Sequence, residues 1–492
     1  MMKNGRLIRE NFQIERLMFN EGFQIEQTGT QIMVHSYYDT FDFLLYQQSY
    51  YLYEEDERFY LYNETEDTVY PIRETKKMPF YNSGHFENHR ELLKKIIGNR
   101  ALLPVLSLEI EICNFIMTNS DQKTVARIKQ VKFQKLNEGE TLIFVEQLKG
   151  YKKEVKMLEE ALQPYLGGKI SSLQQHFFTT KIAHFDYTTR INIKIKSRDT
   201  LDTVVCKILK FYLDVIQKNI HGILEDIDIE FLHDFRVGLR KTRSLLVMLK
   251  KEIDPWIYRD FKQRFKKIMQ KTNNQRDIDV YLDEEDYFRS LVPPEYFEDL
   301  HSFFLHLKKG RKNELRKIRR HFNTKFFRET FMQWNDLISS ENGPLLISEK
   351  AKMPVKEYAS GKLKKLIKRL ANQAQKIMDH EIPETVHDCR ILCKQIRYIS
   401  EIFAPLFSEG ELKYFIAVIK KFQEFLGAYN DAHMQKAMIS RYQENIRNGR
   451  EGEALEQLVP ALEKKQEDNY LKFIQTFEQN KGVILEFRRL IS

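Results

Sequence analysis

Short runs rich in β-branched and aromatic residues recur along the first 195 positions: IMVHSYYDT (32–40), FLLYQQSYYLY (43–53), RFYLYN (58–63), TVARIKQVKF (124–133), TLIFVEQLKG (141–150) and TTRINIKIK (188–196). Turn formers such as Asn63, Asp121 and the NEGE of 137–140 separate them, which predicts strands joined by turns. One longer segment, KGYKKEVKMLEEALQPYL, has helical periodicity and is expected to end near Pro164. From DTLDTVVCKILKFYLDVIQKNI onward apolar residues recur every three or four positions, predicting helices over 231–252, 256–273, 295–338, 355–379, 385–405, 410–427 and 454–480. Residues 339–354, SSENGPLLISEKAKMP, break that periodicity. The reading is therefore an α+β multidomain chain: a β-rich part over 1–195 and an all-α part over 196–492, with halves at about 196–338 and 355–492.

The helical part repeats itself. LHDFRVGLRKTR (232–243) returns as VHDCRILCKQIR (386–397), an offset of 154 (387 − 233). Counting from the histidines, Asp234 matches Asp388, Arg236 matches Arg390, Arg240 matches Lys394 and Arg243 matches Arg397. Lys266 and Lys267 match Lys420 and Lys421, and Asp277 matches Asp431. So sustained a register predicts a duplication, two helical bundles related by a pseudo-twofold. Positions 0, +3, +7 and +10 of an α-helix fall within an arc of roughly 80° along about 15 Å of axis. His233, Arg236, Arg240 and Arg243 thus form one stripe, and His387, Arg390, Lys394 and Arg397 another. Phe231, Val237, Leu245, Leu246 and Leu249 form the apolar face that anchors the first helix. The plain alternative is a solvated charged face, which is free to vary between halves, whereas these positions repeat. Like charges lined up in a partly buried groove are costly unless something neutralises them, and Asp277 and Asp431 are assigned mainly that task. A stripe of this length suits a linear polyanion better than one phosphate ion, with arginine forks binding phosphate oxygens in pairs. The two histidines read equally as pH-dependent donors and as helix-start residues bonded to neighbours.

Charge sharpens this division. Residues 1–200 hold 27 Lys+Arg against 27 Asp+Glu, so the net +9 lies entirely in the remainder, and residues 301–400 alone carry 22 against 10. That half therefore calls for an anionic partner. The basic runs at 306–322 and 362–370 are expected to be largely solvated, or to widen the anion field. Four cysteines in 492 residues suit a reducing compartment, and no run of about 18 apolar residues or signal-peptide core is present. A cytoplasmic, membrane-free protein is the expectation. No P-loop or GxGxxG occurs, GGKI (167–170) reads as a turn, and neither a nucleophile triad nor an HxxxH or CxxC metal pair is present. No metal site or cofactor is called for. Cys389 occupies the place of Phe235, which suggests packing.

HDFRVGLRKTRSLL with NQRDIDVYL, then HDCRILCKQIRYISEIFAPL with KKFQEFLGAYNDAHM, resemble the CHAD family, the conserved histidine α-helical domain, over roughly 198–490. That resemblance implies two helical bundles around a basic cavity, inorganic polyphosphate as ligand, and contacts from His233, Arg236, Arg240, Arg243, Lys266 and Lys267 with His387, Arg390, Lys394, Arg397, Lys420 and Lys421. Lys394 in place of an arginine departs from two-pronged binding there. YYDTFDFLLYQQSYYLYEEDERFYLYN and FVEQLKGYKKEVKMLEEAL are similar to the CYTH family, implying a tunnel or barrel-like antiparallel domain over about 10–195. That family's metal-holding ExExK set is missing; EIEIC (109–113) comes too late and lacks the lysine, and LYEEDER puts acids where the family places cations. The expected function is non-catalytic polyphosphate binding. A metal-dependent triphosphatase in the N-terminal part and a nucleic-acid-binding protein are the alternatives, the first short of metal ligands and the second of interleaved stacking aromatics.

Overall fold

The computed structural model describes residues 3–8, 12–17, 19, 22–72, 80–133, 141–181, 187–339, 345–379, 383–443 and 449–491. Two compact units divide the chain, Met1–Tyr187 and Thr188–Ser492.

In the first unit the described strands are β1 (Lys3–Ile8), β2 (Gln24–Thr40), β3 (Tyr50–Glu55), β4 (Arg58–Asn63), β5 (Thr68–Ile72), β6 (Leu102–Thr118), β7 (Thr124–Phe133), β8 (Thr141–Gln147) and β9 (Leu166–Ser172). They form one antiparallel sheet in the order β5-β4-β3-β2-β6-β7-β8-β1-β9. The spine is the long β2–β6 pair, registered from Gln24 opposite Thr118 to Thr40 opposite Leu102. Helices α1 (Arg90–Ile97), α2 (Lys152–Leu162) and α3 (Leu173–Lys181) pack on it. Asp39, fully buried in the YYDT segment, accepts backbone N–H bonds from Thr40, Leu45 and Tyr46 and so fixes the turn after β2.

Two expectations need correction here. TTRINIKIK forms no strand: it opens the second unit, and Ile195 is buried without a sheet neighbour, so its alternation reports burial rather than pairing. GGKI is no turn but part of β9, where Gly167 lies so near β1 that an added Cβ would sit 3.2 Å from that of Leu7. One face of this sheet is filled by aromatic side chains. Tyr37, Tyr51, Tyr53, Tyr62 and Phe144 form an aromatic core there with Phe177 and Phe178 of α3. Phe178 stacks on Tyr46 at 5.4 Å and meets Tyr37 edge-on at 5.6 Å. Among the described residues the edge strands β5 and β9 do not pair with each other, so the sheet is open.

The second unit is helical: α4 (Leu201–Glu225), α5 (Ile229–Met248), α6 (Pro255–Lys271), α7 (Asn273–Asp283), α8 (Glu285–Ser290), α9 (Phe297–Phe322), α10 (Lys325–Ile338), α11 (Val355–Asp379), α12 (Pro383–Ile402), α13 (Glu409–Gln443), α14 (Arg450–Glu456) and α15 (Leu458–Leu490). The helix expected over 295–338 is two, because Thr324 caps a new start by accepting from the Phe327 N–H. The one expected over 410–427 runs on to Gln443. In chain order α4, α5, α6 with α7, and α9 correspond to α11, α12, α13 and α15. The histidine-led copies fall on α5 and α12. Among the described residues no helix is long and apolar enough to cross a membrane.

Candidate functional site

Asp228 starts α5 five residues before the stripe, its carboxylate accepting from the N–H groups of Glu230 and Phe231. Gly238 then lets α5 lie close on α4: a Cβ there would come within 2.9 Å of Ile216 Cγ1. Phe231, Phe235, Leu239, Leu245, Leu246 and Leu249 are buried, while Val237, expected on the apolar face, is half-buried. Proline opens α12, where the missing N–H costs nothing. Cys389 and Cys393 are both buried there as packing residues.

A depression of about 250 Å³ lies between α5 and α12. Arg240, Arg243 and Lys262 face it from the first half and Lys394 and Gln395 from the second, over a floor that includes Leu246, Val247, Ile391 and Tyr398. Lys262 also lines a second, larger depression of about 810 Å³ on the outer face of α6, shared with Lys250, Arg259, Lys266 and Lys267. Lys262 thus lines both depressions.

These cations act on one another. Burial first, then Arg390 and Arg240, push the Lys394 ammonium down to about 8, against the pull of Asp431. Arg240 belongs to the other half, so the halves meet electrostatically at this point. Burial alone lowers Arg243. Such mutual repulsion marks a place where fixed charge is left for something else to neutralise.

The other stripe residues are engaged elsewhere. Arg236 donates through Nη1 to the Met269 carbonyl (3.2 Å), Thr272 Oγ1 (2.7 Å) and Asn273 Oδ1 (2.9 Å), bridging the break between α6 and α7. The equivalent stretch of α13 is unbroken, and Arg390 instead sets Nη2 3.5 Å from Asp431. Arg397 pairs with Glu401 at 3.4 Å and lies over the Tyr398 ring. His233 is half-buried at the start of its stripe, while His387 is exposed with Nδ1 3.3 Å from Asn430 Oδ1. Lys420 and Lys421 are exposed on α13 and are not among the residues lining the depression. Asp277 offsets Arg236 and repels Asp431. Arg236→Ala is accordingly expected to act on folding. Losing a charged donor to two buried acceptors and one half-buried one lowers stability by about 1.5 to 3 kcal/mol, measurable as a shift in urea midpoint, with smaller effect on anion affinity than changes at Arg240.

Two participants escaped the sequence reading. Lys262 has Ile416 as its repeat counterpart, so the duplication gives no sign of it; its place one helical turn before Lys266 could have. Lys241, buried, reaches Glu401 of the second half at 3.7 Å and thereby ties α5 to α12. The basic run of α9 is largely exposed, as expected, but two of its residues also serve the fold: Arg311 clasps Asp226 and Asp279, and Arg319 donates to the Leu224 carbonyl at the end of α4. Among the described residues no group of three or more His, Cys, Asp or Glu is placed to hold a metal ion.

Residues 207–440 match the CHAD domain family model. Similar solved structures include the CHAD domain from the plant Ricinus communis, 17% identical with a TM-score of 0.45, covering 61% of this chain and 95% of that one. PptA from Streptomyces chartreusis is 12% identical with a TM-score of 0.46, covering 57% of this chain and all of that one. No curated protein matches the chain. The antiparallel sheet of the first unit is compatible with a CYTH-like domain whose interior has become aromatic. The helical unit, matched across both histidine-led helices, is a CHAD domain.

Proposed function

We propose that the second unit binds inorganic polyphosphate along the track formed by Arg240, Arg243, Lys394 and Lys262 and continued by Lys266 and Lys267. The observation that carries this reading is the convergence of Arg240, Arg243 and Lys262 of one half with Lys394 of the other on a single depression; burial first, then repulsion by Arg390 and Arg240, disfavours the Lys394 ammonium there. A polymer with one charge per phosphate relieves that repulsion at each step, and the association of CHAD domains with polyphosphate supports the choice of polymer. Arg236, Arg390 and Arg397 then hold the walls in place rather than supply the main contacts.

The test is titration of the full chain with long-chain polyphosphate, followed by competition with RNA at equal phosphate. Preference for polyphosphate and a steep fall of affinity with salt are expected; equal displacement by RNA would overturn the assignment of the polymer.

Protonation adds an independent check. Bound anion favours the charged form of Lys394 and raises its pKa, so complex formation takes up protons where the free protein has partly lost them. Affinity should therefore decline as pH rises from 7 to 9, through the free-state value of about 8. Lys394→Arg, which stays charged over that range, should flatten the decline.

A further inference from the structure

The basic run at 362–370 takes no part in the track. Its first lysines, with those just before α11, line a separate cavity of about 680 Å³, within the roughly 300–1,000 Å³ usual for small-molecule sites. Lys350, Lys356, Lys362, Lys364 and Lys365 line it, with Glu357 the one acid among the lining residues.

Its base is firmly built. Lys362 donates to the Met248 carbonyl at 2.7 Å and lies 3.5 Å from Glu252, which is 2% exposed. The buried Tyr358 hydroxyl donates to the same carboxylate at 2.8 Å, so the first turns of α11 are fixed to the end of the first half. On the other side the Leu201 N–H donates to the Met353 carbonyl and the Val355 N–H to that of Asp199. The lysines are close enough to feel one another. Burial is the main cause of the lowered Lys362 ammonium and Glu252 opposes it, while Lys350 and Lys365 add to the lowering. Glu252 is shared between Lys362 and Tyr358.

We propose that this cavity is a second anion site, distinct from the track, that takes a compact run of phosphates: tripolyphosphate or the triphosphate of a nucleotide. Lysines bind as point charges without the directional fork of arginine, so they suit a short phosphate run of either origin. Its lysines all come from one short stretch, residues 350–365, which suits a compact ligand, whereas the track draws on two depressions and suits a long one.

Gly361 supplies a clean probe. It lies in the cavity lining, and a Cβ built on it meets nothing within 4 Å, so a side chain there enters the cavity without disturbing the protein's own packing. Leucine at a helix-interior glycine also raises helix propensity. Calorimetric titration of the full chain with tripolyphosphate, and separately with ATP, is the experiment. It is run on the wild type and on an Arg240→Glu/Lys394→Glu chain whose track is disabled. At least one of the two ligands should bind the track-disabled chain with one-to-one stoichiometry, ATP alone or both pointing to an organic source and tripolyphosphate alone to an inorganic one. Gly361→Leu and Lys356→Glu/Lys365→Glu, each made in both backgrounds, should weaken that event at least tenfold while far-UV circular dichroism and retention of the wild-type background on long-chain polyphosphate persist. Absence of binding to the track-disabled chain and to the wild type, or undiminished binding by the Gly361 and lysine variants, would overturn the second site without touching the track. Failure of long-chain retention alone would overturn the track and leave this site standing.

Discussion

Reversing two charges at the meeting of the halves, Arg240→Glu with Lys394→Glu, is expected to lower affinity for long-chain polyphosphate by at least about 100-fold. Each replacement removes a charge-assisted contact worth roughly 1.5 to 3 kcal/mol, and together about 3 to 6 kcal/mol corresponds to a factor of 10² or more. The reversed charges also repel the polymer, so the loss should exceed that of Arg240→Ala/Lys394→Ala. The slope of log affinity against log salt should become shallower, because fewer counterions are released. Folding should be little harmed. Burial disfavours either charge at position 394, but Arg390 and Arg397, which repel the lysine, become partners of a carboxylate there. Retention of the double variant equal to wild type would show that the polymer, if bound, lies elsewhere.

The duplication was legible because two helices kept cations at the same three offsets from a histidine, and helical geometry alone puts such positions on one face. What the repeat could not reveal was where each face points. Arg236 shares the stripe with Arg240, yet the chain breaks between α6 and α7 beside it, leaving the Met269 carbonyl and the Thr272 hydroxyl to capture its guanidinium. Its counterpart Arg390 meets an unbroken helix and turns to Asp431. A pseudo-symmetric sequence thus gives unequal roles, since the partner of a long side chain is set by neighbours that the repeat does not preserve. Lys262 is the converse case, in the track but without a repeated partner. In the first unit alternation misled at TTRINIKIK, whose isoleucines turn inward without a strand beside them. The long β6 was passed over except for EIEIC, because its burial alternates only in part along 17 residues. The aromatic filling of the sheet could not be read locally either. It needs α3, a short helix of weak amphipathicity, to bring Phe177 and Phe178 onto tyrosines more than 100 positions earlier.

The largest effect on stability is expected at Arg311, a residue of the basic run that lines neither the track nor the second cavity. Its guanidinium donates to both oxygens of Asp226 at 2.7 and 2.8 Å and to Asp279 at 2.7 Å, joining the end of α4, α7 and α9. Asp279 is 2% exposed, and apart from Arg311 it accepts from Gln275. Arg311→Leu keeps much of the stem's packing but strands that carboxylate, and breaking a buried pair from one side costs about 3 to 5 kcal/mol. Urea unfolding of the full chain should show the loss, with polyphosphate affinity at low denaturant unchanged. The pH dependence separates a stranded charge from mere lost contacts. Burial already raises the Asp279 pKa, and Arg311 is the main influence holding it down, so the variant raises it further above its unfolded value. A carboxyl so raised is fully accommodated below its unfolded pKa and loses that stability as pH climbs through the folded one. The deficit of Arg311→Leu should therefore be greatest at neutral pH and shrink toward pH 5. Adding Asp279→Asn should restore most of it at pH 7, because the neutral amide removes the charge that has no partner. A deficit independent of pH, with no rescue by asparagine, would place the role of Arg311 in packing rather than in charge.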